Sequence, residues 1–116
     1  MKITLKPEAI KWFEEKFPLH EGEAIRFFGK TYGSTEVHEG FSVGMQMDTP
    51  GNHDEILAVT EENGRQYFTT KKDEWFFEGY DLEIGIDSTY KEPYYHFIDQ
   101  QNPNKKTDAI SGASEK

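Results

Sequence analysis

Hydrophobic and polar positions alternate at two different periods along the 116-residue chain. Ile3 and Leu5 alternate with Lys2 and Thr4, which predicts a short first strand. Over residues 7–17 the spacing lengthens: Ile10, Phe13 and Phe17 fall at i, i+3 and i+7, with Ala9 alongside, while Glu14, Glu15 and Lys16 lie largely opposite. That is one apolar stripe on a helix. Pro7 suits its first turn, where a missing N–H costs nothing, and Pro18 stops it.

After Gly22 the period becomes two. Ile25 and Phe27 alternate with Arg26 and Phe28 in a second strand. Phe41, Val43, Met45 and Met47 share one face opposite Ser42, Gly44, Gln46 and Asp48, which predicts a strand buried on its Phe–Val–Met–Met side. Residues 49–52, Thr-Pro-Gly-Asn, read as a turn. Segments 56–60 and 66–70 flank Asn63-Gly64, a hairpin signal whose two left-handed positions fit a type I′ turn. A short helical turn is expected over 72–77. Leu82, Ile84 and Ile86 then alternate with acidic neighbours, and a last strand is expected over 90–98, confined by Pro93 to a sheet edge or bulge. One N-terminal helix followed by six or seven short strands predicts a mainly β, α+β domain: a sandwich or flattened barrel of short strands with the helix covering one side. The domain is expected over 1–98, with 99–116 a polar, mobile C-terminal tail.

Composition sharpens this picture. Nine Phe, six Tyr and two Trp must supply most of the buried area, because aliphatic residues are sparse. A chain of this length buries roughly two-thirds of its unfolded surface, enough for one core without disulfides. Twenty-two acidic residues against 13 basic ones leave a formal charge of −9, a field that repels phosphate backbones and anionic lipid. Nucleic acid and membrane are therefore not expected as partners. No apolar run near Met1 resembles a signal peptide, no stretch is long enough to span a bilayer, and there is no cysteine, so the cytoplasm is the expected location.

The order of strand, helix "PEAIKWFEEKF", strand "AIRFF" and then "YGSTEVHEGFSVGMQMD" resembles the HesB-like domain, the fold of the A-type iron–sulfur cluster assembly proteins. It is most similar to a short Gram-positive branch carrying an inserted GFSxG segment, here Gly40-Phe41-Ser42-Val43-Gly44. The similarity runs to about Phe97. In A-type members one cysteine follows a Gly-Gly pair after the second strand and a Cys-Gly-Cys lies near the C-terminus, together forming the cluster or iron ligands. The resemblance places the first ligand position at Ser34, in Tyr32-Gly33-Ser34. The family's Asn-Pro-Asn matches Asn102-Pro103-Asn104, which puts the other two positions at Ala109 and Ser111. All three thiols are absent. Iron–sulfur clusters are held by thiolates because soft, anionic sulfur matches iron and its sulfides. A serine hydroxyl is a far weaker ligand and alanine is none, so no cysteine-ligated cluster is expected. The resemblance implies a role in or near iron–sulfur assembly, as an accessory or partner-binding factor. A homo-oligomer is left open.

Other chemistry is thin. His38 lies near Glu36 and Glu39, and His53 near Asp54 and Glu55; these are the weak candidates for a nitrogen–oxygen Zn²⁺ or Fe²⁺ site, without diagnostic spacing. A solvated loop histidine is the commoner outcome, and no metal is expected. Ser34 follows a glycine but has no Gly-x-Ser-x-Gly context, and adjacent acidic pairs such as Glu14–Glu15 and Glu61–Glu62 point apart on any regular element. No catalytic residue and no enzyme activity are expected. Trp75, Phe76 and Phe77 cannot all point inward, so Trp75 or Phe76 is the candidate partner surface. Phe27 and Phe28 pose the same question, since burial on both faces requires a second layer or a subunit interface. The alternative to an iron–sulfur role is a protein- or small-ligand-binding module unrelated to iron.

Overall fold

The computed structural model describes residues 1–20, 22–31 and 40–102, and among them the two periods separate into two α-helices, one long and one short, and seven strands. The order is β1 (Ile3–Leu5), α1 (Pro7–Lys16), β2 (Ala24–Lys30), β3 (Ser42–Asp48), β4 (Ile56–Glu62), β5 (Arg65–Thr70), α2 (Glu74–Phe77), β6 (Tyr80–Ile86) and β7 (Pro93–Asp99). Single 3₁₀ turns lie at Pro50–Asn52 and Lys71–Asp73. Three strands form one sheet in the order β1-β6-β7 and four form another in the order β3-β2-β5-β4. The β1–β6 and β2–β5 pairs are parallel and the rest antiparallel. Of the two shapes expected, sandwich and flattened barrel, the sheets remain distinct and make the sandwich. No helix among the described residues is long and apolar enough to cross a membrane.

Aromatic rings join the layers. Phe13 of α1 meets Phe27 of β2 edge-on at 5.9 Å and Tyr67 of β5 at 5.7 Å, and Phe27 meets Tyr95 of the other sheet at 6.0 Å. Phe13, Phe27, Tyr67 and Phe97 are all essentially fully buried. Each such ring contributes roughly 2–3 kcal/mol of transfer free energy, which is how a chain poor in aliphatic residues closes a core. The helix is locked at both ends. Its first turn follows Lys6, whose N–H donates to the Ile84 carbonyl of β6 at 2.9 Å. At its C-terminal end the Arg65 guanidinium, just past the Asn63-Gly64 turn, donates to the Phe17 carbonyl at 2.6 Å and more weakly to that of Phe13. A cation on the last carbonyls complements the negative end of the helix dipole. Asn63 and Gly64 both take positive φ, as the type I′ turn requires.

Two expectations change, and one pair of alternatives is resolved. Met47, expected on the buried face of β3, is 47% exposed, whereas Ser42 and Gly44 on the expected polar face are buried. The reason is the sheet order: β3 ends the sheet with β2 on one side only, and its other face is covered by side chains from β2. The last strand begins at Pro93 rather than at residue 90, because the Asp87 carboxylate accepts the N–H groups of Thr89 and Tyr90 and folds 87–90 into a turn. Finally, Phe27 and Phe28 do lie on opposite faces, but the second layer over Phe28 comes from the chain itself, as described next.

Candidate functional site

A half-buried ion network covers the outer face of the four-stranded sheet. Arg26 points outward from β2, and its Nε donates to Asp48 Oδ2 at 2.8 Å across the β2–β3 register. The chain then turns back over the sheet through Thr49 and the 3₁₀ turn, which returns His53 Nε2 to the same Asp48 oxygen, also at 2.8 Å. Asp48 Oδ1 accepts the Thr49 N–H at 2.7 Å. On the other side Arg26 Nη1 lies 3.5 Å from Asp73 Oδ2, while Asp73 Oδ1 accepts the Gly29 N–H at 3.3 Å. The guanidinium also rests over the Phe28 ring, 5.0 Å from its centroid, and the His53 ring lies 5.9 Å from that of Phe68.

The two carboxyl groups shift in opposite directions, although burial pushes both of them up. For Asp48, burial pushes the pKa up, but hydrogen bonds from His53, the Thr49 amide and Arg26 together outweigh it and hold the group at about 2. Burial wins at Asp73, whose pKa is raised despite the Gly29 amide and Arg26. Every acceptor oxygen of Asp48 is thus engaged by a donor of the chain, so the network ties β2, β3, the 49–53 turn and the segment before α2 together rather than presenting an open base. Arg26 did not stand out in the sequence, and Asp73 did so only as half of the adjacent acidic pair Asp73–Glu74, which reads as a solvated face. Their meeting depends on the β2–β3 register and on a contact 47 residues apart, which no local motif announces.

The second feature is an aromatic end. Phe76 is fully buried, with its ring on the backbone of Gly29: a methyl group there would come within 2.9 Å of it. Phe76 also meets Phe97 of β7 at 5.8 Å and Trp75 at 5.5 Å, and Trp75 meets Phe41 at 5.2 Å. The ends of β2 and β7 therefore flank one ring. Trp75 is 50% exposed and lies at the surface. Phe76 belongs to the core, which removes it from the expected partner surface, because the four-residue helix buries both Phe76 and Phe77 and the Phe76 ring fills the space above Gly29. Ser34, His38, Ala109 and Ser111 lie outside the described residues. His53 is placed by Asp48, and among the described residues no group of three or more His, Asp or Glu side chains could hold a metal ion.

No family profile matches the chain. It is 30% identical over 97 residues to the pyruvate dehydrogenase inhibitor of Bacillus subtilis, covering 84% of this chain and 99% of that protein. A protein of Staphylococcus saprophyticus described as uncharacterised is 30% identical over 96 residues, covering 82% of this chain and 97% of the other. Among solved structures, the fold matches that of Escherichia coli SufA, involved in biosynthesis of iron–sulfur clusters. The TM-score is 0.57 at 17% identity, over 84% of this chain and 86% of SufA.

Proposed function

The chain belongs to the same family as the Bacillus subtilis pyruvate dehydrogenase inhibitor, and from that premise we propose that it acts by docking on a protein partner and restraining it. The partner class is the pyruvate dehydrogenase complex, and the fold of SufA is used as a scaffold for contact rather than for carrying a cluster. The observation that carries this reading is the donor set. The chain has no cysteine, so no thiolate exists for the soft ligation that iron–sulfur clusters need. The carboxylates and imidazole of the outer-face network are already committed to Arg26, to one another and to backbone amides. Such a network stiffens a surface, which favours a binding role over an enzymatic one. Coverage of nearly the whole relative supports the same conclusion, since the likeness extends over the entire fold and not over one shared element.

The test is addition of the purified protein to the purified Bacillus subtilis pyruvate dehydrogenase complex, following turnover and co-sedimentation. A saturable fall in turnover that tracks the amount of protein co-sedimenting is expected. Full turnover with no protein bound to the complex would overturn the proposal.

A further inference from the structure

The β4–β5 hairpin grips the helix through two residues at its turn. Asn63 Nδ2 donates to Glu14 Oε2 on α1 at 2.8 Å. Two residues on, Arg65 donates to the carbonyls of Phe17 and Phe13 at the end of the same helix. The ladder closes on the pair Glu62–Arg65, so Asn63 and Gly64 stand beyond it as the loop. Both are exposed and both take positive φ, 55° and 80°. A methyl group built on Gly64 would meet nothing within 4 Å, so no side chain crowds the peptide bond between them.

An asparagine followed by glycine carries its own reactant, and asparagine is a thermolabile residue. The Gly64 nitrogen attacks Asn63 Cγ: the N–C bond forms, the Cγ–Nδ2 bond breaks, and Nδ2 leaves as ammonia with the proton that Gly64 gives up. Water then opens the cyclic imide at either carbonyl and leaves an aspartate or an isoaspartyl residue. No oxidant and no cofactor enter. Glycine favours the attack because it has no Cβ to shield its nitrogen. Of the four asparagines, Asn52, Asn102 and Asn104 precede histidine, proline and lysine, and only Asn63 precedes glycine. Two features of the fold oppose ring closure. The left-handed backbone of the turn fixes the peptide, and Glu14 holds the leaving amide against the helix.

We propose that Asn63-Gly64 is a self-modification site, with Glu14 the positioning residue that restrains it. The contacts set the consequence. Loss of ammonia replaces the Asn63 donor by a carboxylate that faces the Glu14 carboxylate, so an attraction becomes a like-charge repulsion. The isoaspartyl product also adds a methylene to the backbone, whereas a two-residue type I′ loop fixes the hairpin register by its length. Either product loosens the hairpin from α1 beside the Arg65 cap, and it adds negative charge to a chain already at −9.

The test holds the purified protein in warm, mildly alkaline buffer and maps deamidated and isoaspartyl positions by peptide mass spectrometry and isoaspartyl methyltransferase labelling. Asn63 is expected to convert before any other asparagine, and several-fold faster in a sample unfolded in urea. Glu14→Ala should convert Asn63 several-fold faster than the parent does, while Glu14→Gln, which keeps an acceptor oxygen, stays near the parent. Circular dichroism checks that both variants keep the parent fold. Earlier conversion at another asparagine, or an intact Asn63 in the folded protein while the unfolded sample converts, would reject the site. Equal rates for Glu14→Ala and the parent would reject the restraint. A second measurement needs no incubation: Asn63→Asp, one of the two products, is expected to melt lower and to speed amide exchange in the last turn of α1. Adding Glu14→Gln should restore part of both. An Asn63→Asp protein as stable as the parent, with α1 exchange unchanged, would overturn the consequence drawn from the contact.

Discussion

Arg26 and His53 donate to the same oxygen of Asp48, each at 2.8 Å, although they arrive from β2 and from the far side of a turn. One carboxylate thereby holds an edge strand, its neighbour and the turn folded over both.

Acid should loosen this arrangement in a defined window. Asp48 is held at about 2 in the folded protein, below the ordinary aspartate value. A depressed carboxyl contributes stability that is fully present above the unfolded pKa and is lost as pH falls through the folded one, so the window runs from just above the ordinary aspartate value down to the folded value. The contribution is about 2 kcal/mol. Asp73 has the opposite sign: its raised pKa means that its charge opposes folding, and protonation relieves this as pH falls. Asp48→Asn is expected to lower stability near neutral pH by about 1–3 kcal/mol and to flatten the acid limb of the profile. Asp73→Asn should cost less than Asp48→Asn near neutral pH. Urea unfolding across the acid range measures both, and equal losses would contradict the assignment.

Gly29→Ala is expected to destabilise by about 1–3 kcal/mol, because the new methyl group meets the buried Phe76 ring, which has no room to retreat. Combining it with Phe76→Leu should recover part of that loss. Gly44→Ala meets the far end of a half-buried Phe28 and the flexible stem of Lys30, so its cost should be smaller. Denaturant midpoints of the three variants decide the order.

Arg65→Met keeps the length of the side chain and removes the donors that cap α1 at Phe17 and Phe13. A loss of about 1–2 kcal/mol is expected, with faster amide exchange concentrated in the last turn of the helix. Uniform acceleration across the molecule would argue against a capping role.

Anaerobic reconstitution with iron and sulfide should leave the protein colourless after desalting, since no thiolate is available to hold the cluster. A retained visible chromophore with near-stoichiometric iron would refute the non-carrier reading.

Much of the fold was legible locally. The i, i+3, i+7 stripe of Ile10, Phe13 and Phe17 and the stop at Pro18 marked α1 to within one residue, and Asn63-Gly64 marked the β4–β5 hairpin. These signals depend only on neighbours in the chain. Strand limits were harder where side chains compete with the ladder, as at Asp87, whose carboxylate draws residues 89 and 90 into a turn.

By itself the sequence determined the class of the fold, its aromatic core, its acidic surface and the absence of thiolate, because periodicity, composition and ligand chemistry are properties of residues and short spacings. Tertiary structure alone decided that β3 lies at an edge, that Met47 leaves the core, and that Phe76 turns inward while Trp75 does not. It also brought Arg26, Asp48, His53 and Asp73 together. Those outcomes depend on which strands pair and in what register, and pairing is settled by contacts between residues far apart in the chain.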